Sequence, residues 1–164
     1  MRGLGEEVMK VWRLITHHKD KDAALFWSRQ NGRIAIGWGA IGNIRDMGYS
    51  SANDITAAIR TAYPESDNPH LGGASLWDFY AEMQNGDLVI LSANKPRVLV
   101  VEVEGDYEWT DESPFEGDYQ HQRRVAIRRD LSPEDIWKKA GGAARQNVHQ
   151  TLIRCERTLT EDDL

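Results

Sequence analysis

The feature that most constrains the fold is a pair of short apolar runs, at residues 87–92 and 97–104. Both are rich in valine, isoleucine and leucine and are bounded by polar or turn-forming residues, which is typical of buried β-strands. Asn94-Lys95-Pro96 lies between the two runs and predicts a turn, so we expect an antiparallel pair. Alternating patterns predict further strands at residues 11–16, 33–38 and 119–128.

Helices are expected between and after these strands. Each expected helix starts at a residue that caps a helix N-terminus and stops at glycine, asparagine or proline. They begin after Asp20, Ser51, Ser75 and Ser132 and end, in the same order, at Asn31-Gly32, before Pro64, near Asn85-Gly86 and at Gly141-Gly142. Residues 65–73 are expected to form a loop. A last helix is expected over residues 143–157, with Val148, Leu152 and Cys155 facing inward.

A run of strands with helices outside it favours the α+β class, as a small mixed β-barrel or strongly bent sheet flanked by helices. We expect one domain over residues 1–164. Residues 8–130 are expected to form the barrel with inserted helices, and residues 131–164 a C-terminal helical extension. No apolar run approaches the roughly 18 residues of a membrane helix, and no signal pattern is present, so we expect a cytoplasmic protein with no membrane partner.

The charge distribution separates an acidic block from a basic one. The net charge is −6, which argues against a strong generic affinity for nucleic acid. Residues 101–122 carry eight acidic and no basic side chains, whereas residues 123–157 carry nine basic and four acidic ones. Such an acidic loop beside a basic strand is usually a solvated face, but it can also frame a site.

No arrangement of reactive side chains predicts catalysis, a cofactor or a metal site. Asp87, Glu102 and Glu104 resemble the acidic cluster of metal-dependent nucleases, but the lysine expected near the last carboxylate is missing. Adjacent His17 and His18 point to opposite faces of a strand end and cannot easily share one metal ion. The single cysteine excludes a multi-cysteine zinc site, and no glycine-rich loop has the spacing of a nucleotide fingerprint. We therefore expect a binding module and not an enzyme.

The aromatic residues are more informative, because the chain has six tryptophans. Trp38 stands where a strand becomes a turn, and the flanking Gly37 and Gly39 would let a ligand approach its ring. Trp109 lies in the acidic loop, and Tyr119 follows it. Two or three aromatic planes at one mouth of a barrel would hold a flat ligand such as a nucleobase, with stacking worth about 1–3 kcal/mol. A cationic ligand in an aromatic cage is the competing interpretation.

Several segments carry a resemblance to a known superfamily. They lie in order at residues 11–16, 34–43, 77–91, 101–109 and 119–127. Together they resemble the EVE and YTH branches of the PUA-like superfamily. The helix that leads into Gly86-Asp87 and an apolar strand is the most EVE-like segment. The Tyr-x-His-x-Arg-x-Val strand at 119–125 resembles the specificity domains of prokaryotic modification-dependent restriction systems.

The resemblance implies a PUA-like barrel that accommodates a modified base, flipped out of duplex DNA, in an aromatic pocket. Trp38 occupies the position of the first cage tryptophan, and either Trp109 or Tyr119 would supply the second aromatic ring. Gly39 and Ala40 stand where YTH domains have small polar residues, so backbone groups or other side chains would read the base edge. The expected pocket residues are Trp38, Trp109, Tyr119, Trp77, Trp27, Ser28 and Asn43.

Contacts with the nucleic-acid backbone are expected from basic residues on or near the strand at 119–128. These residues are His121, Arg123, Arg124, Arg128 and Arg129. Because neighbouring residues on a strand face opposite ways, at most one of Arg123 and Arg124 should face the site.

The sequence therefore predicts a non-catalytic reader of methylated or hydroxymethylated DNA in prokaryotic defence, without a cofactor. Any nuclease or NTPase would belong to a separate domain or subunit. A reader of modified RNA remains an alternative within the same class. A small-molecule-sensing or enzymatic domain that uses the same pocket, and a protein-interaction module that uses the last helix, are the alternatives from other classes.

Overall fold

The strands form one sheet in the computed structural model, which describes residues 7–92, 97–143 and 150–164. Seven strands lie in these ranges: β1 (Val11–Ile15), β2 (Arg33–Ile36), β3 (Leu88–Ser92), β4 (Arg97–Val103), β5 (Glu108–Trp109), β6 (His121–Ile127) and β7 (Leu152–Arg154). Their order is β2-β6-β4-β3-β1-β7, and β5 pairs with the first residues of β6. The sheet curls into a half-barrel.

Five α-helices lie outside the sheet in the described ranges. They are α1 (Lys21–Asn31), α2 (Ile44–Met47), α3 (Ala52–Ala62), α4 (Pro69–Trp77) and α5 (Pro133–Lys139). A π-helical turn, Asp78–Glu82, continues α4, and 3₁₀ turns form at Gly39–Ile41 and Glu161–Asp163. The predicted α+β class, with a curled sheet flanked by helices, is confirmed at this level.

The predicted antiparallel pair is the centre of the sheet. Residues of β3 and β4 pair antiparallel, with Leu88 opposite Glu102, and every residue of β3 is buried. On its other side β3 pairs parallel with β1. The expected turn at residues 94–96 lies outside the described residues. A strand with neighbours on both sides and both faces covered explains why this run is continuously apolar.

Three of the predicted helix starts are confirmed by their caps. The side chains of Asp20, Ser51 and Ser132 each accept a hydrogen bond from a backbone N–H three residues ahead. The first helix ends at Gly32, whose φ of 61° lies in the left-handed region that favours glycine. These ends were predictable because each cap depends on neighbouring residues only.

The predicted helix start at Ser75 is wrong. The helix begins at Pro69, inside the stretch 65–73 that was expected to be a loop. Ser75 lies fully buried within α4, and its hydroxyl accepts a hydrogen bond from the N–H of Leu152 at 3.2 Å. The capping-box pattern misleads here because the serine hydroxyl bonds to another element instead of its own helix terminus.

The expected last helix over residues 143–157 is also wrong where the structure describes it, whereas α5 within the expected C-terminal extension is helical. Residues 152–154 form β7, which pairs antiparallel with β1, with Leu14 opposite Leu152. Leu152 and Cys155 are buried as expected, but Leu152 lies in a strand at the sheet edge and Cys155 in an isolated β-bridge to Ala143 that follows it. Val148 lies outside the described residues. The C-terminal segment therefore completes the sheet of the main domain.

The two faces of the sheet bury separate apolar clusters. Successive residues of β1 alternate between them: Trp12 packs with α3 and α4, whereas Val11 packs with Ile136 of α5. The larger cluster lies under α1, α3 and α4, and Trp38 packs against it. No helix in the described part of the chain is long and apolar enough to cross a membrane.

Candidate functional site

A cavity of about 660 Å³ opens where β1, β2 and α3 end and where the acidic loop enters β6. Its walls carry the rings of Trp38, Tyr63 and Tyr119 and the polar side chains of His18 and Asp118. The volume lies within the range of small-ligand sites. Three aromatic rings and a carboxylate therefore converge on one concave surface.

Trp38 adopts an unusual backbone conformation at the wall of this cavity. Its φ is 66°, the only positive φ of a non-glycine residue among the described residues. Such a conformation costs about 1–3 kcal/mol and persists only where the surroundings enforce it. A Cβ on Gly72 of α4 would lie 2.9 Å from the indole, so glycine allows the helix to contact the ring. Gly39 faces the Gln120 side chain and does not serve the ligand approach expected from the sequence.

A buried hydrogen-bond chain holds the Trp38 backbone. Nε2 of His121 donates to the Trp38 carbonyl at 3.1 Å, and Nδ1 accepts from the Tyr107 hydroxyl at 2.7 Å. The Tyr107 hydroxyl in turn accepts from the N–H of Ile44. Burial lowers the pKa of His121 to about 4, so the imidazole is neutral at pH 7 with its proton on Nε2. Burial raises the pKa of Tyr107 as well, which keeps it a donor.

Tyr63 and Asp118 join the end of α3 to the loop before β6. The Tyr63 hydroxyl donates to Oδ2 of Asp118 at 2.8 Å and accepts from the N–H of Ala40 at 2.9 Å. The Asp118 carbonyl accepts from the N–H of Gly39 at 3.0 Å. Burial raises the pKa of Tyr63 to about 12, so its phenol keeps the proton that it shares with the carboxylate.

Tyr119 is held by stacking on His17. Their ring centroids are 4.8 Å apart and the planes differ by 21°. Nε2 of His17 donates to the Glu116 carbonyl at 2.8 Å, and Nδ1 accepts from the N–H groups of Lys19 and Asp20. Every polar atom of this imidazole is therefore bonded within the protein, which makes His17 a support for Tyr119 and leaves no nitrogen for a metal ion.

Two of the seven expected pocket residues, Trp38 and Tyr119, line the cavity. Between Trp109 and Tyr119, which the sequence left open, Tyr119 is the residue at the cavity. The Trp109 ring packs against His121 at a centroid distance of 5.2 Å, and its Nε1 donates to Asp111. Trp109 thus supports the hydrogen-bond chain behind Trp38 from outside the cavity.

The other four expected pocket residues do not border the cavity. Trp27 packs edge-on against Phe115 of the acidic loop, with ring centroids 5.5 Å apart. Trp77, at the end of α4, packs against the main core. Ser28 is buried within α1, and Asn43 caps α2 by accepting from a backbone N–H. All four therefore have packing or capping roles.

Two of the residues expected to contact the nucleic-acid backbone, His121 and Arg123, are buried, so the expectation is wrong for these two. His121 is fully buried and neutral, so it offers no charge to a phosphate. Arg123 is 2% exposed, and its guanidinium donates to the carbonyl oxygens of Gly105, Phe79 and Met83. The arginine ties β6 to the turn after α4 and is not available to a ligand at the surface.

The remaining expected contacts lie at the surface but away from the cavity lining. The Arg124 side chain is 64% exposed and lies 3.9 Å from the Glu108 carboxylate. Arg128 is held by two carboxylates at 2.6 and 2.8 Å, at the opposite end of β6 from the cavity. Arg129 is exposed. Arg124 and Arg129 are therefore the two of the five that remain available to an anionic partner.

Acidic groups dominate the rim of the cavity. Glu65, Glu116 and Asp118 are exposed lining residues, and Lys19 is the only lysine or arginine among the described lining residues. Sequence reasoning missed Tyr63 and Asp118 as a pair. They are 55 positions apart, and no local pattern indicates that the end of α3 meets the acidic loop.

The two buried groups with reactive chemistry, Asp87 and Cys155, are enclosed in structural contacts. The Asp87 carboxylate is buried and accepts from Trp12 Nε1 and from the N–H groups of Lys10 and Gln84. Burial raises the pKa of the Cys155 thiol to about 12, so it is not a thiolate at neutral pH. Among the described residues, no group of three or more potential ligands that could hold a metal ion is found.

Comparison with known proteins identifies a family without assigning a function. A search among curated proteins finds no match. A family model described as a domain of unknown function, DUF8426, matches residues 12–151. The matched span runs from the first strand to the edge of β7 and includes every lining residue of the cavity. Since this span covers most of the sequence, the chain belongs to the DUF8426 family.

Proposed function

We propose that the chain is a non-catalytic reader of a modified nucleobase in DNA, and that the curled sheet is a PUA-like half-barrel. The base enters the cavity between Trp38, Tyr63 and Tyr119. The observation that carries the proposal is the convergence of these three rings on a cavity of about 660 Å³. The role belongs to prokaryotic defence, with any nuclease or NTPase supplied by another domain or subunit.

The physical basis is the match between a flat ligand and aromatic walls. Stacking on aromatic side chains contributes about 1–3 kcal/mol per base. Each additional buried methyl carbon contributes about 0.8 kcal/mol, which favours a methylated base over its unmodified form. These gains offset the few kcal/mol needed to extrude the base from a duplex. The strained backbone of Trp38 is consistent with a residue held in place for binding.

The charge of the rim limits how the rest of the nucleic acid can lie. The carboxylates of Glu65, Glu116 and Asp118 repel a phosphate placed beside them. The phosphates must therefore run past Lys19 or across the surface that carries Arg124. With so few cationic contacts, we expect affinity to fall weakly with salt, with a log–log slope of about −2 or shallower.

The test is an anisotropy titration with matched labelled oligonucleotides. They carry plain cytosine, 5-methyl-, 5-hydroxymethyl- or N4-methylcytosine, or N6-methyladenine, and plain and methylated RNA strands form the comparison. We expect preference for one DNA modification and its loss in Trp38→Ala. Trp137→Ala is the matched control, because Trp137 lies on α5 and packs against the apolar cluster on the opposite face of the sheet. Absence of binding to every member at tens of micromolar would contradict the proposal.

A small cationic ligand is a second candidate, favoured by one specific observation. Three exposed carboxylates surround three aromatic rings, which is the chemistry of a cage for quaternary ammonium groups. A calorimetric titration with choline distinguishes this candidate. Heat of binding that disappears in Trp38→Ala, together with no binding to oligonucleotides, would favour a small-molecule sensor over a base reader.

A further inference from the structure

We infer that the recognised base carries an amino group at C4 of a pyrimidine or C6 of a purine and that the carboxylate of Asp118 accepts a hydrogen bond from it. The site would then select bases derived from cytosine or adenine and reject thymine, uracil and hypoxanthine. This inference rests on the proposed function and names the class of base that the same cavity takes.

The turn after Trp38 has no free N–H to offer a base carbonyl. The N–H of Gly39 donates to the Asp118 carbonyl at 3.0 Å. The N–H of Ala40 donates to the Tyr63 hydroxyl at 2.9 Å. The Trp38 carbonyl already accepts from His121. The turn after Trp38 therefore presents the indole ring to the ligand, and the polar readout on this side of the cavity comes from the Asp118 side chain.

Asp118 presents a hydrogen-bond acceptor to the cavity. Its Oδ2 accepts from the Tyr63 hydroxyl at 2.8 Å, which restrains the carboxylate at the cavity wall. A carboxylate has about four acceptor sites, and within the described residues no hydrogen bond to Oδ1 is found. Because the Tyr63 phenol stays protonated and bonded to Asp118, it points its only proton away from a ligand. The side of the cavity near Asp118 is thus an acceptor surface.

Cytosine and adenine carry an amino donor at the position where thymine and hypoxanthine carry a carbonyl oxygen. An amino group pairs with a carboxylate, whereas a carbonyl oxygen would place lone pairs against a negative charge. A site built to bond an N–H group rejects analogues that lack it far more strongly than an apolar pocket rejects a missing methyl. We expect a preference of at least about tenfold.

The experiment compares bases two at a time, where the two differ only in having an amino group or a carbonyl oxygen at this position. These are 5-methylcytosine against thymine, 5-hydroxymethylcytosine against 5-hydroxymethyluracil, and adenine against hypoxanthine. Each base faces an abasic site in the same duplex, because a mispaired base flips more easily and would bias the comparison. Dissociation constants are measured for the full chain at one fixed salt concentration.

The key variant is Asp118→Asn. Its amide oxygen can still accept from Tyr63, while its NH₂ group can donate to a base carbonyl. We expect the preference for the amino-bearing base to fall about tenfold, with thymine binding gained. The matched control is Glu116→Gln, which also removes one negative charge from the rim but leaves the hydrogen bond between Tyr63 and Asp118 unchanged. Circular dichroism melting confirms that both variants are folded.

The outcomes separate the inference from the proposed function. Equal affinity for 5-methylcytosine and thymine, or an unchanged preference in Asp118→Asn, overturns the inference while the reader function stands. An equal loss of preference in Glu116→Gln also overturns it, because charge alone would then explain the effect. No binding to any oligonucleotide overturns the proposed function, and the inference with it.

Discussion

The backbone carbonyl of Trp38 accepts a hydrogen bond from Nε2 of His121, which lies 83 positions away, at 3.1 Å. This contact joins the turn after β2 to the first residue of β6, where the two strands also pair. The imidazole has no exposed surface and is neutral. A histidine that the sequence suggested as a phosphate contact is therefore the residue that secures the conformation of the cavity tryptophan.

We expect His121→Ala to destabilise the fold strongly. The substitution leaves the O–H of Tyr107 without an acceptor in a buried setting, and it leaves the Trp38 carbonyl with only the N–H of Ile41, at 3.3 Å. An unpaired buried donor costs about 1–3 kcal/mol and a lost hydrogen bond about 0.5–1.5 kcal/mol, so the free energy of unfolding should fall by about 2–4 kcal/mol. Urea unfolding measures this change. His121→Gln should recover part of it, because an amide can donate to the carbonyl and accept from the hydroxyl. An exposed histidine control, His70→Ala, should change little.

Stability should also depend on pH through His121. Its folded pKa is about 4, below the ordinary value of 6.5, so between these values the unfolded chain binds more protons than the folded one. Stability from this group is complete above about pH 6.5 and is lost as the pH falls towards 4. The loss is about 3 kcal/mol, from the pKa difference. Urea unfolding of the wild type and of His121→Gln at pH 7, 5.5 and 4.5 isolates the contribution of His121, because the other titrating groups are the same in both proteins. Parallel pH profiles would contradict the prediction.

Ionisation of Asp78 should change stability with pH in the opposite direction, so that stability falls as the pH rises. Burial, and then repulsion by Glu82, raise its pKa to about 6, although Arg154 and Lys10 act against this. The folded chain therefore holds this proton more tightly, and the ionised carboxylate destabilises the fold above about pH 6. Asp78→Asn should raise the free energy of unfolding by about 1 kcal/mol at pH 7. The gain should vanish below the ordinary carboxyl pKa, near pH 3.5. A variant equally stabilised at both pH values would rule out ionisation as the cause.

Local sequence patterns predicted the parts of the fold that depend on neighbouring residues. The capped starts at Asp20, Ser51 and Ser132 and the apolar strands all follow from short segments. The strand β7 did not, because Leu152 and Cys155 have the spacing of a helix face and a three-residue strand is too short to show alternation. Its conformation follows from pairing with β1, more than 130 positions away.

The residues of the candidate site also divide into those that a local sequence pattern indicates and those that only tertiary packing brings together. Trp38 was identifiable because a tryptophan between two glycines at a strand end is locally unusual. Arg123 was misread, because an arginine on an alternating strand gives no sign that it will be buried among carbonyl groups. Tyr63 and Asp118 could not be paired from the sequence, since their contact exists only after α3 and the acidic loop have packed together.

The contact between Gly72 and Trp38 should reverse the effect that replacing a helical glycine with alanine normally has on the free energy of unfolding. Replacing glycine with alanine inside a helix normally stabilises it by about 0.8–1 kcal/mol. Here a Cβ on Gly72 would lie 2.9 Å from the indole of Trp38 and 3.0 Å from Cδ1 of Ile59. The end of the isoleucine side chain moves easily, whereas the rigid indole, which packs against the core, resists displacement. Gly72→Ala should therefore destabilise the wild type, by about 1–3 kcal/mol.

In the Trp38→Ala background the same substitution should become neutral or stabilising, because the obstructing ring is gone and only the gain in helix propensity remains. A double-mutant cycle by urea unfolding gives the coupling between the two positions, which we expect to exceed about 1 kcal/mol. The single variant Gly72→Ala should also shift tryptophan fluorescence and weaken ligand binding, since the displaced indole would enter the cavity. Equal destabilisation in both backgrounds would show that Ile59 or the packing of α4 against α3, and not the indole, requires glycine at this position.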